Sequence, residues 1–385
     1  MRTNRTSKQI RSVPATLWAL GLVLALALTL GGLTGAAHAQ EEFKYGAVMP
    51  VTGPIPQYGE YFIRGSQLAL EDLEKGGWID GRKIRVVLED GKNDPKVSLA
   101  AINKLINIDK VPIVETVGSS VVLALGPVAQ ENRVILVNTA AQNPNVRKIG
   151  NFIFSLVPLA DGVMQTTARQ AVEGMKAKTA GLLFVNNEYG RGVSSTFQKL
   201  FEGSGGKVVA SEIHAQGETD FTTPLTKLKF ANADIVFFVG HENELGYALK
   251  KAKQIGMKSR WLAPPGVFNP LTLTLAGDAA EGLQAADYPF DPVYGTERMR
   301  AFGKRYQERF RVLPGNAAAR TYDAIMLYAA ALKTGGRTPE QIRDYLLSVK
   351  NFDGVSGPVT FDKEGITLEQ PVVRVVQGGK IILMK

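Results

Sequence analysis

The chain has 385 residues, 45% of them apolar, which is enough for two cores of ordinary domain size, and 45 basic against 36 acidic residues. Arg2, Arg5, Lys8 and Arg11 account for part of the formal charge of +9, so the remainder is only mildly basic and holds no block of the kind that grips nucleic acid. Cysteine is absent, which excludes disulfides, thiolate metal ligands and a lipid-modified cysteine.

The four basic residues precede an apolar run, Leu17–Leu30, and a small-x-small motif, Ala37-His38-Ala39. This order predicts a cleavable secretory leader over residues 1–39. The run is too short for a stable membrane span, and no other stretch is apolar for long enough. The mature chain is expected as a free protein of the periplasm.

Beyond the leader, Phe43–Met49 reads as a first strand, followed by a loop with three prolines that presents Gln57 and Tyr58 ahead of a helix over Tyr61–Lys75. Lys83–Asp90 is a second strand, and Asp94-Pro95 caps a helix running to Asp109. Val111–Thr116 is rich in β-branched residues and feeds, through Gly118-Ser119-Ser120, an apolar-periodic helix ending at Asn132. With Ser119 or Ser120 as its N-cap, that helix start would offer amides and hydroxyls to an anion such as a carboxylate. The next strand, Val134–Asn138, ends at the same edge in Thr139-Ala140-Ala141-Gln142. The order βαβαβαβ predicts a parallel, doubly wound sheet.

The pattern restarts with a helix at Ala160–Met175, a strand at Thr179–Val185, the loop Asn186–Gly190 and a helix to Gly203. Strands at Lys207–Ile213, Asp234–Val239 and Arg260–Leu262 alternate with helices at Phe221–Asn232 and Glu242–Ile255. Helices at Tyr294–Phe310, Asn316–Thr334 and Pro339–Val349 follow. A hairpin of Val372–Gln377 and Ile381–Met384, turning at Gly378-Gly379, closes the chain. Two doubly wound α/β halves in an exported chain predict two lobes with a cleft where the strand ends meet.

Enzymatic chemistry finds no support. His214 and His241 lack metal-ligand spacing, and there is no H-E-x-x-H, P-loop or G-x-S-x-G. Lys333-Thr334-Gly335 has no S-x-x-K partner, and Gly190-Arg191-Gly192 lacks the third glycine of a dinucleotide fingerprint.

Taken together, Thr52-Gly-Pro, Gln57-Tyr58-Gly59, Asp94-Pro95, Gly118-Ser119-Ser120, Glu188-Tyr189-Gly190, Asp220-Phe221-Thr222, Ala280-Glu281-Gly282 and Thr321-Tyr322-Asp323-Ala324 carry a resemblance. From Phe43 to the final hairpin the chain resembles the leucine/isoleucine/valine-binding proteins of ABC importers, which are type I periplasmic binding proteins. The resemblance implies two doubly wound parallel-sheet lobes joined by a three-crossing hinge, lobe 1 over 41–160 plus 290–368 and lobe 2 over 161–289 plus 369–385. It implies a monomer that delivers a small carboxylate or amino acid to an inner-membrane ABC permease, with no cofactor and no metal.

By the same resemblance, Ser119 with its neighbour Ser120 and the loop at Ala140 and Gln142 hold the ligand carboxylate, with Gln142 standing where the family usually has threonine. Tyr189 closes over the ligand and Tyr58 packs from the other side. The ammonium half departs from the family: Pro265 stands where its Gly-Pro-Glu-Gly turn carries glutamate, and His241 where an aromatic residue, usually tyrosine, is found. Either Glu242 supplies the missing carboxylate, or the ligand has no amino group and is an aromatic or aliphatic acid. On that turn alone, free leucine is expected to bind less well than 4-methylpentanoate, because its ammonium would be desolvated without a counter-charge. A ligand-sensing module that regulates a partner is the other function this fold serves. The lack of a helix-turn-helix or membrane span in the chain argues against it.

Overall fold

The computed structural model describes residues 1–2, 42–266 and 270–384. The predicted leader, apart from its first two residues, lies outside them. Among the described residues no helix is long and apolar enough to cross a membrane.

Residues Phe43–Lys385 form one compact unit containing two main sheets. The first takes β1 (Phe43–Met49), β2 (Ile84–Asp90), β3 (Ile113–Thr116), β4 (Ile135–Asn138) and β5 (Ile153–Ser155) in the order β2-β1-β3-β4-β5, all parallel. Alternation along the strands sends residues to opposite faces. Tyr45, Ala47, Ile113, Ile135 and Val137 face one apolar core, while Val48, Val114 and Leu136 face another. Helices Pro56–Lys75 and Asn316–Lys333 cover the first face, and Pro95–Asn107 and Ser119–Glu131 the second.

The second sheet holds β6 (Thr179–Val185), β7 (Lys207–His214), β8 (Ile235–Val239), β9 (Arg260–Ala263) and β10 (Gln284–Asp287). A short pair, β11 (Phe352–Asp353) and β12 (Pro358–Val359), stands apart. The hairpin of β13 (Val372–Gln377) and β14 (Lys380–Leu383) then returns antiparallel to β10, giving the order β14-β13-β10-β9-β8-β6-β7. In β8, Ile235, Phe237 and Val239 face one core and Val236 and Phe238 the other. The chain passes from one sheet to the other between Ser155 and Ala160, between Asp287 and Glu297, and between Thr367 and Val372.

Among the elements that escape the sequence pattern are β5, β10, β11 and the helix Pro270–Ala276. Each is short, and Gln284–Asp287 shows no hydrophobic alternation to mark it. Three helix starts also shift, and the one expected at Tyr294 falls at Glu297, capped by the Thr296 hydroxyl. The first helix begins at Pro56 rather than Tyr61, because proline at N1 has no amide to leave unsatisfied, so Gln57 and Tyr58 lie in its first turn. Gly59 makes this possible: a Cβ there would lie 2.6 Å from the Pro50 carbonyl. The helix predicted from Gly190 begins at Glu188, with Asn187 as its cap, so Tyr189 is helical too.

Candidate functional site

Loops at the carboxyl ends of eight parallel strands, β1 to β4 of the first sheet and β6, β8, β9 and β10 of the second, converge. On the first sheet, the turn after β3 is set by Gly118, whose φ of +82° and whose close approach to Asn93 Oδ1, 2.3 Å from where a Cβ would sit, both require glycine. Gly118 is itself the N-cap, which corrects the expectation of a serine cap: Ser119 and Ser120 are the first two helical residues. The first helical bond runs from the Val122 amide to the Gly118 carbonyl, so the amides before it have no intrahelical acceptor. Ser119 Oγ accepts from the Asn143 amide (3.2 Å) and Ser120 Oγ from the Glu188 amide across the cleft (3.4 Å). A hydroxyl that accepts still has its hydrogen to donate, and among the described residues neither serine donates it.

After β4, Asn138 Oδ1 accepts from the amides of Ala140 (3.1 Å) and Ala141 (2.6 Å), which shapes the Thr139–Gln142 turn. The Ala140 amide is thereby engaged, and Ala140 contributes surface rather than a free donor. Gln142 Nε2 reaches the second lobe, donating to the Pro265 carbonyl (2.9 Å) and to the Tyr288 hydroxyl (3.0 Å). Beneath the turn lies Glu115, fully buried and taking hydroxyl hydrogens from Tyr45 (2.8 Å), Thr139 (3.0 Å) and Thr321 (2.5 Å). Burial outweighs those three bonds and pushes its carboxyl up to about 7.

On the second sheet, the Tyr189 ring stacks on His241 at 5.7 Å, and Tyr58 from the first lobe meets the same imidazole edge-on at 6.1 Å. Burial holds the His241 imidazole below its usual pKa, against the opposing pull of Glu242, so the ring is neutral at pH 7. Glu242 opens the helix Glu242–Gln254, where the helix dipole favours its negative charge, and it is only 1% exposed. Gln57 Nε2 donates to its Oε2 (3.0 Å) from across the cleft. Burial, and in second or third place Glu242, keeps the hydroxyls of Tyr58, Tyr61 and Tyr189 un-ionised.

These loops enclose a cavity of about 400 Å³. Tyr58, Ser119, Ser120, Ala140, Gln142, Tyr189, His241, Glu242 and Pro265, the nine residues singled out in the sequence, all line it. The sequence reading missed Tyr288, because β10, which it directly follows, went unseen, and Thr139 and Asn187, which lie within two residues of Ala140 and Tyr189. It also left out Gln57, which holds Glu242. Among the described residues no three His, Asp or Glu side chains converge as a metal set.

A binding cleft at the strand ends of two α/β lobes, crossed three times by the chain, is the architecture of a type I periplasmic binding protein. The profile of the periplasmic binding protein family matches residues 42–380, and the chain belongs to that family. It is 28% identical over 347 residues to the leucine-, isoleucine-, valine-, threonine- and alanine-binding protein of Pseudomonas aeruginosa, covering 89% of this chain and 91% of that one. Its fold matches the crystal structure of a leucine-binding protein from Thermotoga maritima with a TM-score of 0.82 at 26% identity, over 89% of this chain and 98% of that one. A solute-binding protein of an ABC transporter from R. palustris, crystallised with benzoate, shares the fold at a TM-score of 0.82 and 20% identity, over 89% of this chain and 96% of that one.

Proposed function

We propose that this protein is the periplasmic solute-binding component of an ABC importer, that it captures a free amino acid between two closing lobes, and that it hands this ligand to an inner-membrane permease. Binding is non-covalent, and the cavity is built by one chain without a second copy. The lobe bounds are 41–160 plus 290–368 and 161–289 plus 369–385. In this reading Ser119, Ser120 and the helix start receive the carboxylate, Tyr58 and Tyr189 close over the ligand with His241 between them, and Ala140, Gln142 and Pro265 shape its surroundings.

One observation carries the choice of an amino acid: Glu242, a carboxylate 1% exposed, lines the same cavity as the serine hydroxyls. A zwitterion needs hydrogen-bond donors at one end and a negative charge at the other. Burying its ammonium with no counter-charge would cost several kcal/mol, on the order of 3–5 by comparison with broken buried pairs. Glu242 removes that cost although Pro265 occupies the position of the usual acidic residue. The ligands in the name of the Pseudomonas aeruginosa relative support the same class.

The test is one thermal-shift plate comparing leucine with 4-methylpentanoate and phenylalanine with phenylpropanoate. The amino acids should stabilise the protein more, and Glu242→Gln should abolish that preference. Equal or greater stabilisation by the plain acids would sink the amino-acid assignment and leave the carboxylate site standing.

A further inference from the structure

Asn143 lies just past the loop that follows β4, is 1% exposed, and uses its polar atoms in four directions. Its amide donates to Ser119 Oγ (3.2 Å), and its carbonyl accepts from the Val146 amide (3.1 Å). Its Oδ1 accepts from the Asn145 amide (2.9 Å), capping the short helix Pro144–Lys148. Its Nδ2 donates across the cleft to the Glu188 carbonyl (2.6 Å). Because the Asn145 amide can only donate and the Glu188 carbonyl can only accept, these two partners fix which way the side-chain amide faces.

The helix Glu188–Gly203 of the second lobe is shaped to receive this side chain. Residues four apart share a helix face, and Glu188 and Gly192 are such a pair. A Cβ at Gly192 would lie 2.5 Å from Asn143 Nδ2 and 2.8 Å from its Cγ, so Asn143 fills the space that any residue larger than glycine would take. The Glu188 peptide is held by the first lobe at both ends, its amide donating to Ser120 Oγ (3.4 Å) while its carbonyl takes the Asn143 hydrogen. Next in the chain is Tyr189, whose ring stacks on His241 at the cavity wall.

We infer that Asn143 is a positioning residue that couples ligand capture to lobe closure. Its main-chain amide engages a lone pair of Ser119 Oγ and leaves the hydroxyl hydrogen for the ligand, while its side chain docks on Gly192 and Glu188 and brings Tyr189 over the cavity. The same contact explains a glycine inside a helix, where alanine would otherwise be the more stable choice. This rests on the solute-capture reading, and it adds the pair of residues through which binding and closure act together.

The experiment uses the mature protein and whichever of leucine, 4-methylpentanoate, phenylalanine and phenylpropanoate binds it most tightly. Asn143→Asp keeps the cap on Asn145 and the main-chain bond to Ser119, but sets an acceptor against the Glu188 carbonyl. Gly192→Ala favours the helix taken alone and drives a methyl group into Asn143. Without ligand both variants should melt close to the wild type, yet each should raise the dissociation constant about tenfold, chiefly through faster dissociation. Asn143→Ala combined with Gly192→Ala should cost no more than Asn143→Ala alone, since the methyl then has room. Wild-type affinity in both single variants would overturn the inference, and so would additive losses in the double variant. A lower ligand-free melting temperature with an unchanged dissociation rate would also overturn it, because the contact would then serve the scaffold alone. Failure of all four compounds to bind the wild type would remove the solute-capture reading, and this inference with it.

Discussion

At the scale of single residues, one hydroxyl and one carboxylate carry distinct predictions. Ser119 offers a hydroxyl hydrogen at the start of a helix, so Ser119→Ala should weaken ligand binding by about 1–3 kcal/mol with little change in melting temperature, as calorimetry and thermal unfolding would show. Unchanged affinity would mean that the carboxylate sits elsewhere. Glu115 makes a prediction about pH. Its carboxyl is raised from 4.5 to about 7 in the folded chain, so between those values the folded state holds a proton that the unfolded state has released. Stability therefore falls as pH rises through that window, by about 3 kcal/mol in total for this group. Glu115→Gln, which stays neutral, should gain on the wild type in melting temperature from pH 5 to pH 8. A gap that does not move with pH would show that Glu115 does not titrate there.

At the scale of elements, the site depends on how helices begin. Four of its sides are first turns, Pro56–Tyr58, Ser119-Ser120, Glu188-Tyr189 and Glu242, each placed where strand ends converge. Gly118 has the most demanding backbone of these starts, with φ at +82° and Asn93 against its α-carbon. Gly118→Ala should lower stability by about 1–3 kcal/mol and should also displace the Ser119 amide, so affinity should fall together with melting temperature. If both stay at wild-type values, the turn is more permissive than its conformation indicates.

At the scale of the whole molecule, the lobes are joined across the cleft by Gln57 to Glu242, by Gln142 to Pro265 and Tyr288, by the Asn143 side-chain amide to the Glu188 carbonyl (2.6 Å), and by the Glu188 amide to Ser120. Nearly every one of these bonds involves a residue that lines the cavity or its immediate neighbour. A ligand that bridges the walls should therefore favour the same juxtaposition, and small-angle scattering should report a smaller radius of gyration at saturating ligand than without it. An identical profile in both conditions would argue against lobe closure.

The alternating βα pattern, the capped helix at Asp94-Pro95 and the terminal hairpin were legible from local residue order, because hydrophobic periodicity and turn chemistry act over a few residues. Ser119, Ser120, Ala140, Gln142 and Tyr58 could be placed at strand ends in the same way, whereas Tyr189, His241, Glu242 and Pro265 were singled out by the family resemblance; all nine line the cavity. What local order did not reveal included β5, β10, β11 and the helix Pro270–Ala276. Gln284–Asp287 becomes a strand because β9 and β13 pair with it on either side, a long-range event that leaves no period in the sequence. For that reason Tyr288 stayed hidden. The nearness of Pro265 and Glu242 was equally out of reach: the chain places them 23 residues apart, and only the convergence of β8 and β9 on one cavity brings both to its wall. Residue order determined the lobes and the loops, through interactions local to the chain. Tertiary packing decided which polar atoms face one another across the cleft, because burial and pairing belong to distant segments brought together.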